Sequence, residues 1–348
     1  MTVLFFALVV IDLTRRHRVK ISFTVFRQRQ KRTQWLLALL FALLIAYFLW
    51  LAGFSLDLGL SNIYERRLAS RDLSAPAWSY FVALGRSVVT IYSLYIFLYR
   101  RSWFFLTLLI ACNLAIFSLD GTKTSLIVPI FLCFVSYIVL KKQTLLFAYL
   151  SVPVLIILSV VELAILDTNV VSEYFVRRII AGSGFLSIAY WQFFSQNPLA
   201  LLTDSIGSFF QTPVYSTSVT YVIGTYVLHN TSENADTGIW MGGFAHFGLA
   251  GIFVVSALAG FVLGLVDNLT RERQHLIGSL TCAFFGIIWA EQMFQTSLLT
   301  GGILYLMFAL VLFTQSERLS EKQQEYVAGT NAARSRRNEI AATLTQPM

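Results

Sequence analysis

The chain has 348 residues, 57% of them hydrophobic and 13% charged, with a net charge of +8; soluble globular domains do not have this makeup. The basic residues fall in short clusters between apolar runs instead of forming one basic face. That excludes a nucleic-acid-binding module and leaves a polytopic membrane protein.

Met1 to Leu13 is apolar except for Asp12, but at 1.5 Å per residue it reaches only about 20 Å. It reads as a span cut short, and the expectation is that upstream coding sequence adds further apolar residues. No charged stretch precedes it and no small-residue cleavage site follows, which argues against a signal peptide. Thr14 to Gln34 then carries Arg15, Arg16, Arg18, Lys20, Arg27, Arg29, Lys31 and Arg32 with no acid, so the positive-inside rule places it in the cytoplasm.

Eight further apolar runs follow, at about 35–56, 78–99, 102–119, 124–140, 143–166, 241–266, 276–294 and 297–314. Each suffices to cross a core of about 30 Å, the shortest only just. Their alternation puts Arg100 and Arg101, Lys141 and Lys142, Arg271 and Arg273, and the basic tail on the cytoplasmic side. Arg66, Arg67, Arg71, Lys123, Arg177 and Arg178 fall outside. The expected fold is an all-α, polytopic transmembrane helical bundle over 1–314, of about nine spans with the first short. A disordered cytoplasmic tail follows over 315–348, polar and without core-forming periodicity. Cys112, Cys133 and Cys282 each lie in an apolar run and read as small buried hydrophobes with no chemistry.

The first outer segment holds Leu60-Ser61-Asn62-Ile63-Tyr64-Glu65-Arg66-Arg67. Its arginines form either a solvated face partnered by Glu65 and Asp72 or an anion site. Arg86, in Leu84-Gly85-Arg86-Ser87, lies at membrane depth, where charge marks a cavity-facing group or a buried pair, unless the side chain snorkels to the headgroups. Gly85 and Ser87 favour close helix approach there. Asp120-Gly121-Thr122-Lys123-Thr124 joins two spans outside; it is an ordinary tight turn or an anion site at a helix start.

The long interval 167–240 is the expected extracytoplasmic loop, containing an interfacial or re-entrant helix. Arg177 and Arg178 lie near its start, followed by Tyr190-Trp191-Gln192-Phe193-Phe194 and Asn197-Pro198. Glu173 to Gln196 is too apolar for a free loop, which puts it on or in the outer leaflet. Tyr190, Phe194 and Asn197 share one helical face, either as packing or as a platform on which sugar rings stack. The polar stretch His229 to Gly238 supplies His229, Glu233 and Asp236 as candidate bases. The glycine-rich run after it carries His246, expected to be a hydrogen-bonded structural residue. Glu291 ends its span in a position where simple solvation accounts for it.

Three pieces resemble, in order, the Wzy-type oligosaccharide repeat-unit polymerases of bacterial O-antigen and exopolysaccharide assembly. They are Leu60 to Arg66; Tyr190 to Phe194 with Asn197-Pro198 after an outer-loop arginine; and Asn234-Ala235-Asp236-Thr237-Gly238 leading into the glycine-rich span. The resemblance covers roughly 35–314. It implies an enzyme of the bacterial inner membrane, multi-pass with a cytoplasmic C-terminus. Such an enzyme joins undecaprenyl-pyrophosphate-linked oligosaccharide units at the outer face, with a chain-length regulator and a flippase as protein partners.

No cofactor is expected. No Asp-x-Asp motif occurs, so arginines are expected to hold the pyrophosphate without a metal. The catalytic candidates are Arg177, Arg178, Asp236, His229 and Glu233; the substrate-binding candidates are Arg66, Arg67, Arg86, Lys123, Tyr190 and Asn197. An O-antigen ligase, sharing the donor, and a lipid-linked oligosaccharide flippase or other transporter are the alternatives.

The charge pattern makes a topological prediction. With single introduced cysteines, Ser232→Cys reacts with an impermeant thiol reagent added to intact cells and Ser22→Cys does not. The opposite labelling overturns the arrangement.

Overall fold

The computed structural model describes residues 2–16, 30–51, 78–122, 124–141, 146–166, 182–204, 206–231, 234–270 and 275–312. Every regular element among them is helical. In chain order these are α1 (Thr2–Arg16), α2 (Gln30–Leu51), α3 (Trp78–Arg100), α4 (Trp103–Asp120), α5 (Thr124–Leu140), α6 (Leu146–Leu166) and α7 (Ser183–Gln196). A 3₁₀ turn (Ile206–Phe209) leads to α8 (Val219–Tyr226), α9 (Ile239–Thr270), α10 (His275–Glu291), α11 (Phe294–Leu299) and α12 (residues 303–312).

Four helical runs are long and apolar enough to cross a membrane: α3, α4, α9 and the α11–α12 run Phe294–Leu312. The apolar stretches of α2, α5, α6 and α10 are shorter. The chain is therefore a membrane protein, all-helical among its described residues. The tail after 312 and the stretch 167–181 lie outside the described residues.

One core joins α2, α3, α4, α5, α10 and α12 through Phe41, Phe48, Ile91, Leu94, Ile116, Leu132, Phe284, Phe285 and Leu306. Helices α2, α3 and α4 meet at Gly85. A Cβ there would sit 2.9 Å from Ile116 Cδ1, 3.1 Å from Cys112 Sγ and 3.2 Å from Phe48, so any larger residue would have to displace the tip of the Ile116 side chain. The backbone of α3 widens into a π-helical turn over Gly85–Val89. Asn113 of α4 bonds into it, its Nδ2 donating to Thr90 Oγ1 at 2.9 Å.

The second core gathers Tyr190 and Phe194 of α7, Val219 and Ile223 of α8, Ala235, Phe244 and Ala245 around the start of α9, and Ala7 of α1. Here α9 is not straight. Phe247 and Gly248 leave helical geometry (φ −135° and +61°), and the two arms fold back on each other. Trp240 Nε1 donates to Ser256 Oγ at 3.1 Å, whereas sixteen residues of straight helix would separate them by about 24 Å. The arms cross at Gly243 and Gly251, where a Cβ on Gly243 would lie 2.7 Å from the Gly251 carbonyl oxygen.

Helix α1 lies along the second arm of α9. Gly260 and Gly264, four apart on one face, receive it: a Cβ on Gly260 would lie 2.5 Å from Ile11 O, and one on Gly264 2.9 Å from Arg15 O. Close packing of small residues is the contact that holds helices together in lipid. Arg15 Nε at 2.5 Å and Nη2 at 3.2 Å bind the two oxygens of Asp267. The short first segment thus docks parallel to a neighbour, with its basic end matched.

Gly260→Leu is expected to displace α1, because the obstruction at Ile11 is backbone and cannot rotate away. A loss of stability at the upper end of about 1–3 kcal/mol is expected, measured by denaturant unfolding in detergent, with Gly260→Ala less severe.

Candidate functional site

Arg86 sits in the π turn of α3, opposite the end of α4 and the start of α5. Its Nη2 donates to Asp120 Oδ2 at 2.9 Å, Thr122 Oγ1 at 2.7 Å and Ser125 Oγ at 3.3 Å. Both charged side chains are largely buried, at 12% and 9% exposure. Of the alternatives open in the sequence, Arg86 takes the buried pair. Gly121 ends α4 with φ +63°, its N–H on Phe117 O, and so turns Asp120 back to accept the Thr122 N–H at 2.7 Å. The anion position at this turn is filled by the protein's own carboxylate. The Arg86 Nε stays buried without a partner.

Thr124 extends the polar row, its Oγ1 donating to Glu291 Oε2 at 3.3 Å from the last residue of α10. Glu291 in turn lies near Asp236. Two residues on, Gly238 presses on α10: a Cβ there would lie 2.8 Å from Trp289 O. Asp236 accepts N–H bonds from Thr237, at 3.0 Å, and from Met293. Burial, aided by the Glu291 charge and opposed by those two bonds, pushes the Asp236 carboxyl up to about 7. Such a group exchanges a proton near neutrality.

A third cluster closes the break in α9. The freed carbonyls of Ala245 and His246 accept the N–H groups of Ala200 at 2.9 Å and Leu201 at 3.2 Å, and His246 Nδ1 accepts Leu202 N–H at 3.2 Å. With Nδ1 accepting, neutral His246 carries its proton on Nε2, and the Gln295 amide 2.9 Å away is satisfied with its oxygen toward the ring. Asp204 Oδ2 accepts Val219 N–H at 3.0 Å at the start of α8, and Oδ1 lies 4.0 Å from His246 Nε2. Leu201 and Leu202 both hold left-handed backbone (φ 51° and 59°), which costs about 1–2 kcal/mol each. The three N–H bonds to the break offset that cost.

The structure separates the sequence candidates. Tyr190 is fully buried and donates its hydroxyl to Ala235 O at 3.0 Å, so its ring packs and offers no face to a sugar. Asn197 caps α7, with Nδ2 and backbone N–H both on Phe193 O. His229 is exposed, in left-handed backbone (φ 54°) after α8. Arg66, Arg67, Lys123, Arg177, Arg178 and Glu233 lie outside the described residues. Sequence reasoning missed Asp204, Gln295 and the role of Asp120. Asp204 carried a legible signal: it is the single charged residue from Ile179 to Leu228.

The raised Asp236 carboxyl fixes a sign for stability. The unfolded group ionises near 3.8 and the folded one near 7, so its contribution is complete below the lower value and is lost as pH climbs to the upper. Each unit in that window removes about 1.4 kcal/mol. Asp236→Asn should flatten the dependence of unfolding free energy on pH between those limits, with both proteins measured in the same detergent.

Comparison with protein-family models, with curated proteins and with solved structures finds no match to this chain.

Proposed function

We propose that the chain is a membrane-embedded, metal-independent glycosyltransferase that joins polyprenyl-pyrophosphate-linked oligosaccharide units, an O-antigen or exopolysaccharide polymerase of the Wzy type. The observation that carries this reading is Asp236, a carboxyl balanced near neutrality at the head of an interrupted helix, beside Glu291. Its place in Asn234-Ala235-Asp236-Thr237-Gly238, one of the three pieces behind the resemblance, supports it further.

In the proposed reaction the acceptor sugar hydroxyl attacks the anomeric carbon of the donor. A carbon–oxygen bond forms, the bond to pyrophosphate breaks, and the hydroxyl proton passes to Asp236. Pyrophosphate leaves as an anion, so a protonating acid is dispensable. Arg177 or Arg178, with Arg66 or Arg67, would hold it by planar, paired hydrogen bonds. The positive-inside pattern supports an outer-side position for these arginines and Asp236, and the resemblance implies a bacterial inner membrane.

Two interruptions favour a transporter of the same lipid-linked sugar as a second reading: α9 breaks at Phe247–Gly248, and α11 and α12 are parted at Gly302 (φ +90°). Transporters place broken helices at their substrate sites. Deleting the gene and resolving the surface polysaccharide on a gel separates the readings. Loss of a polymerase leaves single-repeat product, loss of a ligase leaves none, and loss of a transporter strands donor on the inner side.

With purified lipid-linked repeat units, Asp236→Asn is expected to slow polymerisation by about 10²–10⁴-fold, and the wild-type rate should rise with pH up to about 7 and then level. Alanine at the critical outer arginine is expected to cost roughly 10-fold to 150-fold, partly restored by lysine. Near-normal polymer from Asp236→Asn at matched folded protein rejects the base; near-normal polymer from all four arginine variants rejects the clamp.

A further inference from the structure

From Ile179 to Leu228 the sequence holds one charged residue, Asp204, and that one faces inward to Val219 and His246. A segment bathed in water would not be so poor in charge. Within it Phe209 and Phe210 stand 85% and 86% exposed, above every other large hydrophobic side chain among the described residues.

The pair is firmly mounted. Gly207 N–H bonds Leu202 O at 2.8 Å, Phe210 and Gln211 N–H bond Gly207 O at 3.0 and 3.1 Å, and Val214 N–H bonds Thr203 Oγ1 at 3.0 Å. Tyr215 closes the base of the loop through its hydroxyl on Pro198 O at 2.6 Å. Two phenyl rings held outward on a loop tied by these five hydrogen bonds are presented to something.

Depth identifies the partner. The loop hangs on the break in α9 through Ala200 and Leu201. The second arm, residues 249–270, is about 33 Å long, the thickness of a hydrocarbon core of about 30 Å. With Thr270 at one bilayer face, Gly248 and the loop bonded beside it lie at the other. The two helices pack together, and Phe247, Leu249, Val254 and Leu258 of α9 and Phe185 and Ile188 of α7 are all exposed. No basic residue of the segment is available to grip an anionic headgroup.

We propose that Phe209 and Phe210 insert into the acyl region of the leaflet at the Gly248 end, anchoring the loop that caps the break in α9. The anchoring is hydrophobic and independent of lipid charge, and it holds whichever reaction the protein performs.

The test attaches a nitroxide at Phe209→Cys and, separately, Phe210→Cys, with Cys133 and Cys282 replaced by alanine, in phosphatidylcholine vesicles. Collisions with dissolved oxygen should exceed those with a water-soluble nickel chelate several-fold at both positions. They should reverse at Thr231→Cys and not change when anionic phosphatidylglycerol is added. Nickel collisions prevailing at Phe209 and Phe210 would place the rings in water. Neither reagent reaching them would place them against another protein chain; either outcome overturns the anchor. In the paired aspartate variant, Phe209→Asp with Phe210→Asp, amide exchange at Leu201, Leu202 and Gly207 should speed about tenfold, whereas the paired leucine variant should exchange like the wild type. Equal exchange in the aspartate and leucine pairs also overturns it.

Discussion

The reversal of α9 at Phe247–Gly248 is the constraint on which the rest of one end of the molecule depends. A helix broken inside an apolar bundle exposes carbonyls and amides that lipid cannot satisfy. Here the N–H groups of Ala200, Leu201 and Leu202 answer the Ala245 and His246 carbonyls and the His246 ring at the end of the first arm. Gly243 and Gly251 let the two arms touch backbone to backbone, and Trp240 bonds across to Ser256. Remove the reversal, and Asp236 no longer comes to lie beside α10 and the start of α11, nor does Asp204 face His246.

Much of this was legible in the sequence, and the parts that were not share a cause. Apolar run length and basic clusters give an all-helical membrane bundle, because a bilayer demands both. The break in α9 is invisible to that logic. Hydropathy reads straight through Phe247-Gly248, since a glycine-rich apolar run looks the same whether it continues or doubles back. The aromatic face of α7 was legible as a stripe, yet its use was not: Tyr190 packs inward while Trp191, one position on, stacks on Phe244 with centroids 4.6 Å apart and stays 44% exposed. The length of Met1 to Leu13 was read as a deficit in spanning. Its partner surface at Gly260 and Gly264 lies some 250 residues along the chain and could not be inferred from local pattern.

The Arg86–Asp120 pair illustrates why intramembrane charge survives. Taking both ions out of water costs several kcal/mol each. The attraction between them offsets this only with further hydrogen bonds, which Thr122 and Ser125 supply to Arg86 and the Thr122 amide supplies to Asp120. The guanidinium reaches the α4–α5 turn from the π turn of α3, where Gly85 packs close to α4. The same packing sets Ser87 against the interruption before α12, where a Cβ on Gly302 would meet Ser87 Oγ at 2.6 Å. Helix irregularities thus cluster around the buried charge.

Asp236 shows the opposite use of the same physics. It stands just before the first arm of α9, where the helix macrodipole favours a carboxylate, and two backbone N–H groups favour it further. Those influences alone would keep it ionised at any physiological pH. Burial alone, with the Glu291 charge nearby, would keep it protonated. Only the opposition of the two leaves the carboxyl near 7. Neutralising it with a basic partner, as Asp120 neutralises Arg86, would have fixed it in one state. What distinguishes the two acids among the described residues is the guanidinium 2.9 Å from Asp120, where Asp236 instead has burial and the Glu291 charge acting on it. Between the two acids lie Thr124 and Glu291, themselves joined by a hydrogen bond, with Glu291 close enough for its charge to act on Asp236.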